Sequence, residues 1–161
     1  MSFFSRLFKR KRKDPVVQTD TKQAKVFELA KKELGTVEWP KGDNPTVLKY
    51  FDDSGNSWVN DDETAWCAAF VGAILARKGV QPTGKLNARS YTNWGKPKTL
   101  SKAVPGDVVV LWRESPDSWK GHVAFFVRRV GNRVELLGGN QSNSVNISSY
   151  PVSRVLSVSG Y

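Results

Sequence analysis

Residues 63–70 read Glu-Thr-Ala-Trp-Cys-Ala-Ala-Phe, and they open the most apolar segment of the chain. From residue 65 to residue 76 nothing polar interrupts this segment except Cys67, the only cysteine. Thr64 is a good N-cap residue, and the acidic residues beside it suit the positive end of a helix dipole. The pattern therefore predicts a buried helix that begins after Thr64 and stops near Gly79, with Cys67 in its first turn.

A cysteine in the first turn of a helix has two interpretations. The free backbone N–H groups of the turn stabilise a thiolate, which is the form that reacts as a nucleophile. The neighbouring carboxylates of Asp61, Asp62 and Glu63 oppose that charge, so a reactive Cys67 would need a partner base. The alternative is an inert core cysteine packed among alanines, since free cysteines are often buried.

Length and composition are those of one soluble globular domain, with 161 residues, 39% hydrophobic and 25% charged. A single cysteine excludes an intramolecular disulfide, and one cysteine with one histidine makes a zinc site improbable. We therefore expect neither a metal nor a cofactor. No apolar run approaches the roughly 20 residues that span a bilayer.

The first 14 residues form a basic arm. They contain six lysines and arginines against one aspartate, and so hold +5 of the net charge of +10. In a helix the apolar residues of this arm would fall on one face and its basic residues largely elsewhere. This basic amphipathic pattern suits an anionic membrane or envelope surface, and a solubilising tail is the alternative. The candidate contact residues are Phe3, Phe4, Arg6, Phe8, Lys9 and Arg10. We assign residues 1–20 to this arm and a linker, and residues 21–161 to one folded domain.

Helical patterns come first in the folded domain and strand patterns follow. Helices are predicted at 21–34, 45–51 and 86–94 in addition to the helix of Cys67. Strands are predicted at 108–112, 123–130, 133–137, 145–149 and 152–158, with a two-residue hairpin turn at 131–132. This order indicates an α+β fold in which N-terminal helices pack on a C-terminal antiparallel sheet.

The only histidine, His122, lies at the start of an apolar strand. A lone histidine at a strand end is usually structural or simply exposed. Here it and Cys67 begin the two most apolar elements, which is the layout of a thiol nucleophile and its base. An imidazole with a pKa near about 6.5 can take the thiol proton and later protonate a leaving amine.

A third side chain should orient the imidazole, and two neighbours compete for this role. A regular hairpin pairs residue 122 with residue 141, which favours Gln141. The regular register sends Asn140 to the other face, and a one-residue bulge would restore it to the face of His122; Gly138-Gly139 is where a bulge is expected. We favour Asn140, because bulges are common beside active sites.

Four motifs together resemble a phage and bacterial branch of the NlpC-type and CHAP-type cysteine peptidases. They are Trp-Cys-Ala-Ala-Phe (66–70), Pro-Gly-Asp-Val-Val (105–109), Gly-His-Val-Ala-Phe (121–125) and Gly-Gly-Asn-Gln (138–141). The resemblance implies a papain-like core and cleavage of amide bonds in peptidoglycan. It also implies that Cys67 is the nucleophile, His122 the general base and Asn140 the orienting residue.

The sequence departs from the family pattern at two positions. Many CHAP relatives have an acid two residues before the asparagine, where this chain has Gly138. Many relatives also carry a glutamine just before the cysteine, where this chain has Trp66, so no side-chain donor for the oxyanion is assigned.

Substrate-binding candidates come from the aromatic residues and from one arginine. Tryptophans can form sugar-stacking cleft walls or simply pack in a core, and Arg89 could meet a peptide carboxylate or cap a helix. The candidates are Trp66, Arg89, Trp94, Trp119 and Gln141.

The resemblance implies a peptidoglycan hydrolase, either an N-acetylmuramoyl-L-alanine amidase or a stem-peptide endopeptidase, acting in phage-mediated host lysis. We expect a monomer that is made in the host cytoplasm without a signal peptide and acts at the cell wall or periplasm. Its expected partners are peptidoglycan and an anionic envelope surface, and we expect no nucleic acid. The alternatives are a papain-like acyltransferase or protein-modifying enzyme, and a non-enzymatic basic protein that binds membranes or nucleic acid.

Overall fold

The computed structural model describes residues 21–161, which form three α-helices followed by a six-stranded antiparallel sheet. Because the helices precede the sheet in the chain, the predicted α+β class is confirmed. The elements are α1 (Lys22–Lys31), α2 (Pro45–Asp53), α3 (Cys67–Arg77), β1 (Lys96–Lys98), β2 (Val108–Trp112), β3 (Gly121–Val130), β4 (Arg133–Gln141), β5 (Ser144–Pro151) and β6 (Val155–Gly160).

The first two helices begin at side-chain caps. The Thr21 side chain accepts a hydrogen bond of 3.1 Å from the backbone N–H three residues on, and Asn44 accepts one of 2.9 Å from two residues on. Each cap satisfies a backbone donor that the helix itself leaves free. Helix α1 ends at Lys31 rather than at the predicted Leu34, and turn residues follow it.

The prediction that Thr64 caps α3 is wrong. The Asp61 carboxylate accepts both the backbone N–H of Thr64, at 2.7 Å, and its hydroxyl, at 2.9 Å. This local turn engages the Thr64 hydroxyl before the helix starts. Trp66 therefore occupies the cap position without a side-chain cap bond, and Cys67 is the first residue of α3.

Helix α3 is the centre of the core. Every residue from Cys67 to Leu75 is buried, and the helix packs on α2 and against β3 and β4. The Phe70 ring makes edge-to-face contacts with Tyr50 at 5.2 Å and with Phe125 at 6.1 Å between ring centroids. A helix that is apolar all round is stable in water only when it is enclosed in this way.

The strands lie in the order β1-β6-β2-β3-β4-β5, and neighbouring strands are antiparallel. Strand β1 was not predicted, because its Lys-Pro-Lys sequence has no strand pattern. The predicted strand at 152–158 begins later, at Val155, because Val152–Arg154 form a 3₁₀ turn. The predicted helix at 86–94 is reduced to a 3₁₀ turn, Ala88–Tyr91.

Apolar side chains cover both faces of the sheet. The face toward α3 carries Val108, Val110, Val123, Phe125 and Leu137. The opposite face carries a second cluster of Val109, Leu111, Ala124, Phe126, Val134, Leu136 and Val158. Burial on both faces explains why the central strands read as continuous apolar runs rather than as alternating patterns.

Two irregularities interrupt the register of β4, and their effects cancel. Near the hairpin turn Val130 pairs with Arg133, but an extra residue in β3 at Val127 shifts the pairing by one. A second irregularity lies in β4 between Gly138 and Gln141, where Asn140 has a positive φ of 56°. Because the extra residues lie on opposite strands, the second shift restores the alignment that an unbroken hairpin would give at the start of β3.

Helix α3 and strand β4 approach each other closely at Gly139. A Cβ atom there would lie 2.6 Å from the Cβ of Phe70 and 2.7 Å from the indole ring of Trp66. Glycine at this position therefore allows the cysteine helix to lie directly on β4.

Gly139→Ala should reduce the free energy of unfolding by about 1–3 kcal/mol, because neither the helix backbone nor the buried indole can withdraw. For a chain of this size the loss corresponds to a fall in Tm of roughly 3–10 °C. Calorimetry measures it, with Val130→Ala on the exposed hairpin end as the matched control. An unchanged Tm would mean that α3 does not rest on β4 as described.

Candidate active site

Cys67 lies at the amino-terminal end of α3 with its sulfur enclosed by polar hydrogens. The side chain is only 7% exposed. The side chain of His122 and the backbone N–H groups of Val123 and Ala68 lie near the sulfur and stabilise its charged form. Helix and sheet thus each place a backbone N–H near this atom.

The pKa of the Cys67 thiol reflects two opposing influences. Burial raises it, because a thiolate loses its hydration in the interior. The hydrogen bond and the positive charge of His122 lower it, and so do the N–H groups of Val123 and Ala68. The lowering influences together prevail, and the pKa lies below the ordinary thiol value. This arrangement favours the thiolate form of Cys67.

The imidazole of His122 is hydrogen-bonded to the side chain of Gln141. The imidazole is 6% exposed and its Nε2 lies 3.0 Å from Oε1 of Gln141. The Gln141 amide has a fixed orientation, because its Nε2 donates to the backbone carbonyl of Asn146 at 2.7 Å and to the Oδ1 of Asn146 at 2.9 Å. Oε1 must therefore accept, which places the histidine proton on Nε2 and leaves Nδ1 to face the thiol.

The favoured prediction of Asn140 as the orienting residue is corrected by this geometry, and the alternative, Gln141, makes the contact. The predicted bulge is present, but the extra residue in β3 compensates for it. Asn140 takes the left-handed conformation at the bulge and lines the cleft in front of the imidazole. A sequence pattern does not reveal a second bulge at Val127, which has no glycine beside it.

A cleft of about 770 Å³ opens beside the thiol. One wall comes from the segment around the Ala88–Tyr91 turn, and the other from the end of β2 and the loop that follows it. The lining residues are Ala65, Cys67, Leu86, Asn87, Ala88, Trp112, Arg113, Glu114, Trp119, Lys120, Gly121, His122, Asn140 and Arg154. A space of this size accommodates several residues of a peptide or glycopeptide.

Four of the five predicted substrate-binding residues do not line the cleft: Gln141, which binds His122, and Trp66, Trp94 and Arg89. Trp66 is fully buried, stacks on Tyr50 and donates its indole N–H to Glu38. Trp94 packs between aromatic side chains away from the cleft and donates to the carbonyl of Gln81. Trp66 is therefore part of the core, and Trp94 is half-buried against it.

Arg89 also has a structural role. Its guanidinium donates to three backbone carbonyl groups of the loop that forms the cleft wall, those of Ser115 (3.0 Å), Pro116 (2.7 Å) and Lys120 (2.8 Å). Its forked geometry therefore clamps this loop rather than meeting a substrate carboxylate.

Trp119 is the predicted binding residue that does reach the cleft. It is 76% exposed and stands on the same loop, near the ammonium group of Lys120. Sequence reasoning missed Trp112 and Arg154, which also line the cleft. The strand pairing could have revealed Trp112, since it lies opposite Gly121, the neighbour of His122.

The cleft lining carries more positive than negative charge. Arg113, Lys120 and Arg154 stand against Glu114, and the Glu114 carboxylate is already paired with Lys120 at 2.6 Å. Within residues 21–161 no group of three histidine, cysteine or acidic side chains is placed to hold a metal ion. The described site is therefore one of a thiol, an imidazole, amides and arginines.

The predicted surface contacts Phe3, Phe4, Arg6, Phe8, Lys9 and Arg10 lie outside the described residues. In the part of the chain that is described, no helix has the length and apolar character that crossing a membrane requires.

No protein-family model matches the chain, and no curated protein matches it. Among solved structures, the fold is similar to that of a hypothetical invasion protein of Mycobacterium tuberculosis, with a TM-score of 0.52 and 18% sequence identity. The similarity covers 87% of this chain and 62% of that one, so the chain spans less than two thirds of the other protein's length. At this identity the similarity shows the fold alone.

Iodoacetamide should alkylate Cys67 at lower pH than it alkylates an ordinary thiol, because the lowered pKa of Cys67 leaves a larger fraction of the thiol ionised at any given pH. His122→Ala removes the strongest lowering influences and leaves burial, so alkylation at pH 6 should fall by at least about tenfold. Mass spectrometry of the modified protein over pH 5–9 measures both rates. Equal rates in the two proteins would show that His122 does not influence the thiol.

Gln141→Ala should reduce the turnover of a cleaved substrate by roughly 10- to 100-fold with little change in KM, because only the alignment of His122 is lost. Asn140→Gly removes the other amide while keeping the positive φ accessible, and its loss should be clearly smaller. Steady-state kinetics on both variants decides between them. A larger loss for Asn140→Gly would restore Asn140 as the orienting residue.

Proposed function

We propose that this chain is a cysteine amidohydrolase that cleaves an amide bond of peptidoglycan. The observation that carries the proposal is the row Cys67–His122–Gln141, in which a buried amide holds an imidazole against a thiol at the edge of a large cleft. A non-enzymatic protein with an inert cysteine has no need of a thiol whose pKa is lowered in spite of its burial.

The row supports a two-step reaction. The Cys67 thiolate attacks the carbonyl carbon of the amide, and the backbone N–H of Cys67, which has no acceptor within the helix, is available to the oxyanion. The imidazolium of His122 gives its Nδ1 proton to the leaving amine, and a thioester remains. Water then attacks the thioester, His122 takes its proton, and the carboxylic acid and free thiol are released.

Three features support peptidoglycan as the substrate. The four sequence motifs resemble those of peptidoglycan-cleaving cysteine peptidases. The excess positive charge of Arg113, Lys120 and Arg154 suits stem peptides, which carry free carboxylates. The exposed indole of Trp119 offers a flat apolar surface to a sugar ring or a peptide. We propose on the same motifs that the protein acts on the cell wall during phage-mediated lysis.

Cys67→Ser should reduce the hydrolysis of purified peptidoglycan to background, because a serine hydroxyl is far harder to ionise than a thiol. The melting temperature should stay close to that of the unmodified protein, since the substitution is nearly isosteric. Mass spectrometry of the products identifies the bond: a new amino terminus on alanine indicates an amidase, and another terminus an endopeptidase.

Hydrolysis by a well-folded Cys67→Ser protein would contradict the proposed nucleophile. Products in which a new amide replaces the cleaved one would identify an acyltransferase, in which an amine rather than water captures the thioester.

A further inference from the structure

Tyr150 on β5 contacts both residues of the hydrogen-bonded pair His122 and Gln141. Its hydroxyl donates to Oε1 of Gln141 at 2.9 Å, the same oxygen that faces Nε2 of His122. Its ring lies 5.6 Å from the imidazole between centroids, at an angle of 39°. Tyr150 thus contacts both Gln141, which accepts the hydrogen bond, and the ring of His122, which donates it.

The hydroxyl of Tyr150 completes the hydrogen bonding of the Gln141 amide. A carbonyl oxygen has two lone pairs, and here His122 uses one and Tyr150 the other. The amide nitrogen is bound to Asn146. With every site occupied and the side chain only 4% exposed, the amide has one stable orientation.

Tyr150 is itself held in place and held neutral. Burial raises its pKa, and although Arg154 and Arg113 act in the opposite direction the pKa remains above the ordinary value. The Arg154 guanidinium lies 5.5 Å from the ring centroid and donates twice to the Trp112 carbonyl, at 3.1 and 3.0 Å. The phenol therefore stays a hydrogen-bond donor throughout the working pH range.

We propose that Tyr150 is a positioning residue, which fixes the imidazole of His122 through the shared oxygen of Gln141 and through contact with the ring. The proposal rests on the thiol chemistry of the proposed function, but it does not depend on the substrate. Nothing in the sequence pattern singles out Tyr150, since it lies near the end of a strand at the edge of the sheet.

The test is the rate of Cys67 alkylation by iodoacetamide over pH 5–9, which requires no substrate. Tyr150→Phe removes the hydroxyl and keeps the ring. The rate at pH 6 should fall roughly two- to tenfold, the effect of one neutral hydrogen bond, and the midpoint of the pH profile should move upward. The substitution leaves unchanged the other ionisable groups around Cys67 and His122, which are Tyr91, Arg113, Glu114, Lys120 and Arg154.

A double-mutant cycle shows whether the hydroxyl acts through Gln141. Gln141→Leu keeps the side-chain bulk and removes the shared oxygen. In that background Tyr150→Phe should have no further effect on the alkylation profile, whereas independent roles would multiply the two losses. Tyr161→Phe is the matched control, because that tyrosine is also half-buried but donates to Gly106. It should leave the profile unchanged.

The outcomes separate this inference from the proposed function. An alkylation profile of Cys67 in the unmodified protein that lies no lower in pH than that of an ordinary thiol would overturn both. A reactive Cys67 whose profile is the same in Tyr150→Phe would overturn the role of Tyr150 and leave the proposed chemistry standing. Equal losses from Tyr150→Phe with and without Gln141 would show that the hydroxyl does not act through that amide, and would likewise overturn it.

Discussion

The burial of α3 from Cys67 to Leu75 is the constraint on which the rest of the structure depends. Because the residues on every face of this segment are apolar, it must be enclosed, and α2 covers one side of it and β3 and β4 the other. The close approach at Gly139 brings the beginning of the helix to the point where β3 starts. Apolar packing thereby brings the thiol at the start of α3 close to the imidazole at the start of β3. The polar contacts of these two side chains form within a geometry that the core packing sets.

A neutral third residue suits this arrangement. Gln141 is buried, and a carboxylate in its place would have to lose its hydration without an arginine or lysine among the contacts that hold the amide. The amide supplies direction instead of charge: its bond to Asn146 decides which atom faces His122, and hence which imidazole nitrogen carries the proton. Orientation of the base here follows from hydrogen-bond geometry between two adjacent strands.

Local patterns in the sequence were sufficient for the fold class, because apolar runs are visible without tertiary information. They also singled out Cys67 and His122, which lie near each other in the structure. They failed where a choice depended on contacts made elsewhere in the chain. The Asp61 carboxylate accepts the hydrogen bond of the Thr64 hydroxyl, so Thr64 does not cap α3 and the helix begins later than predicted. The irregularity at Val127 offset the one beside Asn140 and gave the contact to Gln141. Trp66 and Arg89 could not be assigned either, since a tryptophan or an arginine suits a cleft or a core equally well.

The clamp that Arg89 forms on the cleft wall has a consequence for how such a protein can diversify. All three of its hydrogen bonds go to main-chain oxygens, so they hold the path of the loop and ignore the side chains that the loop displays. The thiol and the imidazole lie on α3 and β3, and the loop ends where β3 begins. Exposed residues of the loop, Trp119 among them, can therefore be exchanged by mutation while the wall keeps its shape. In this fold, the side chains that the cleft wall displays and the pair Cys67 and His122 can vary independently.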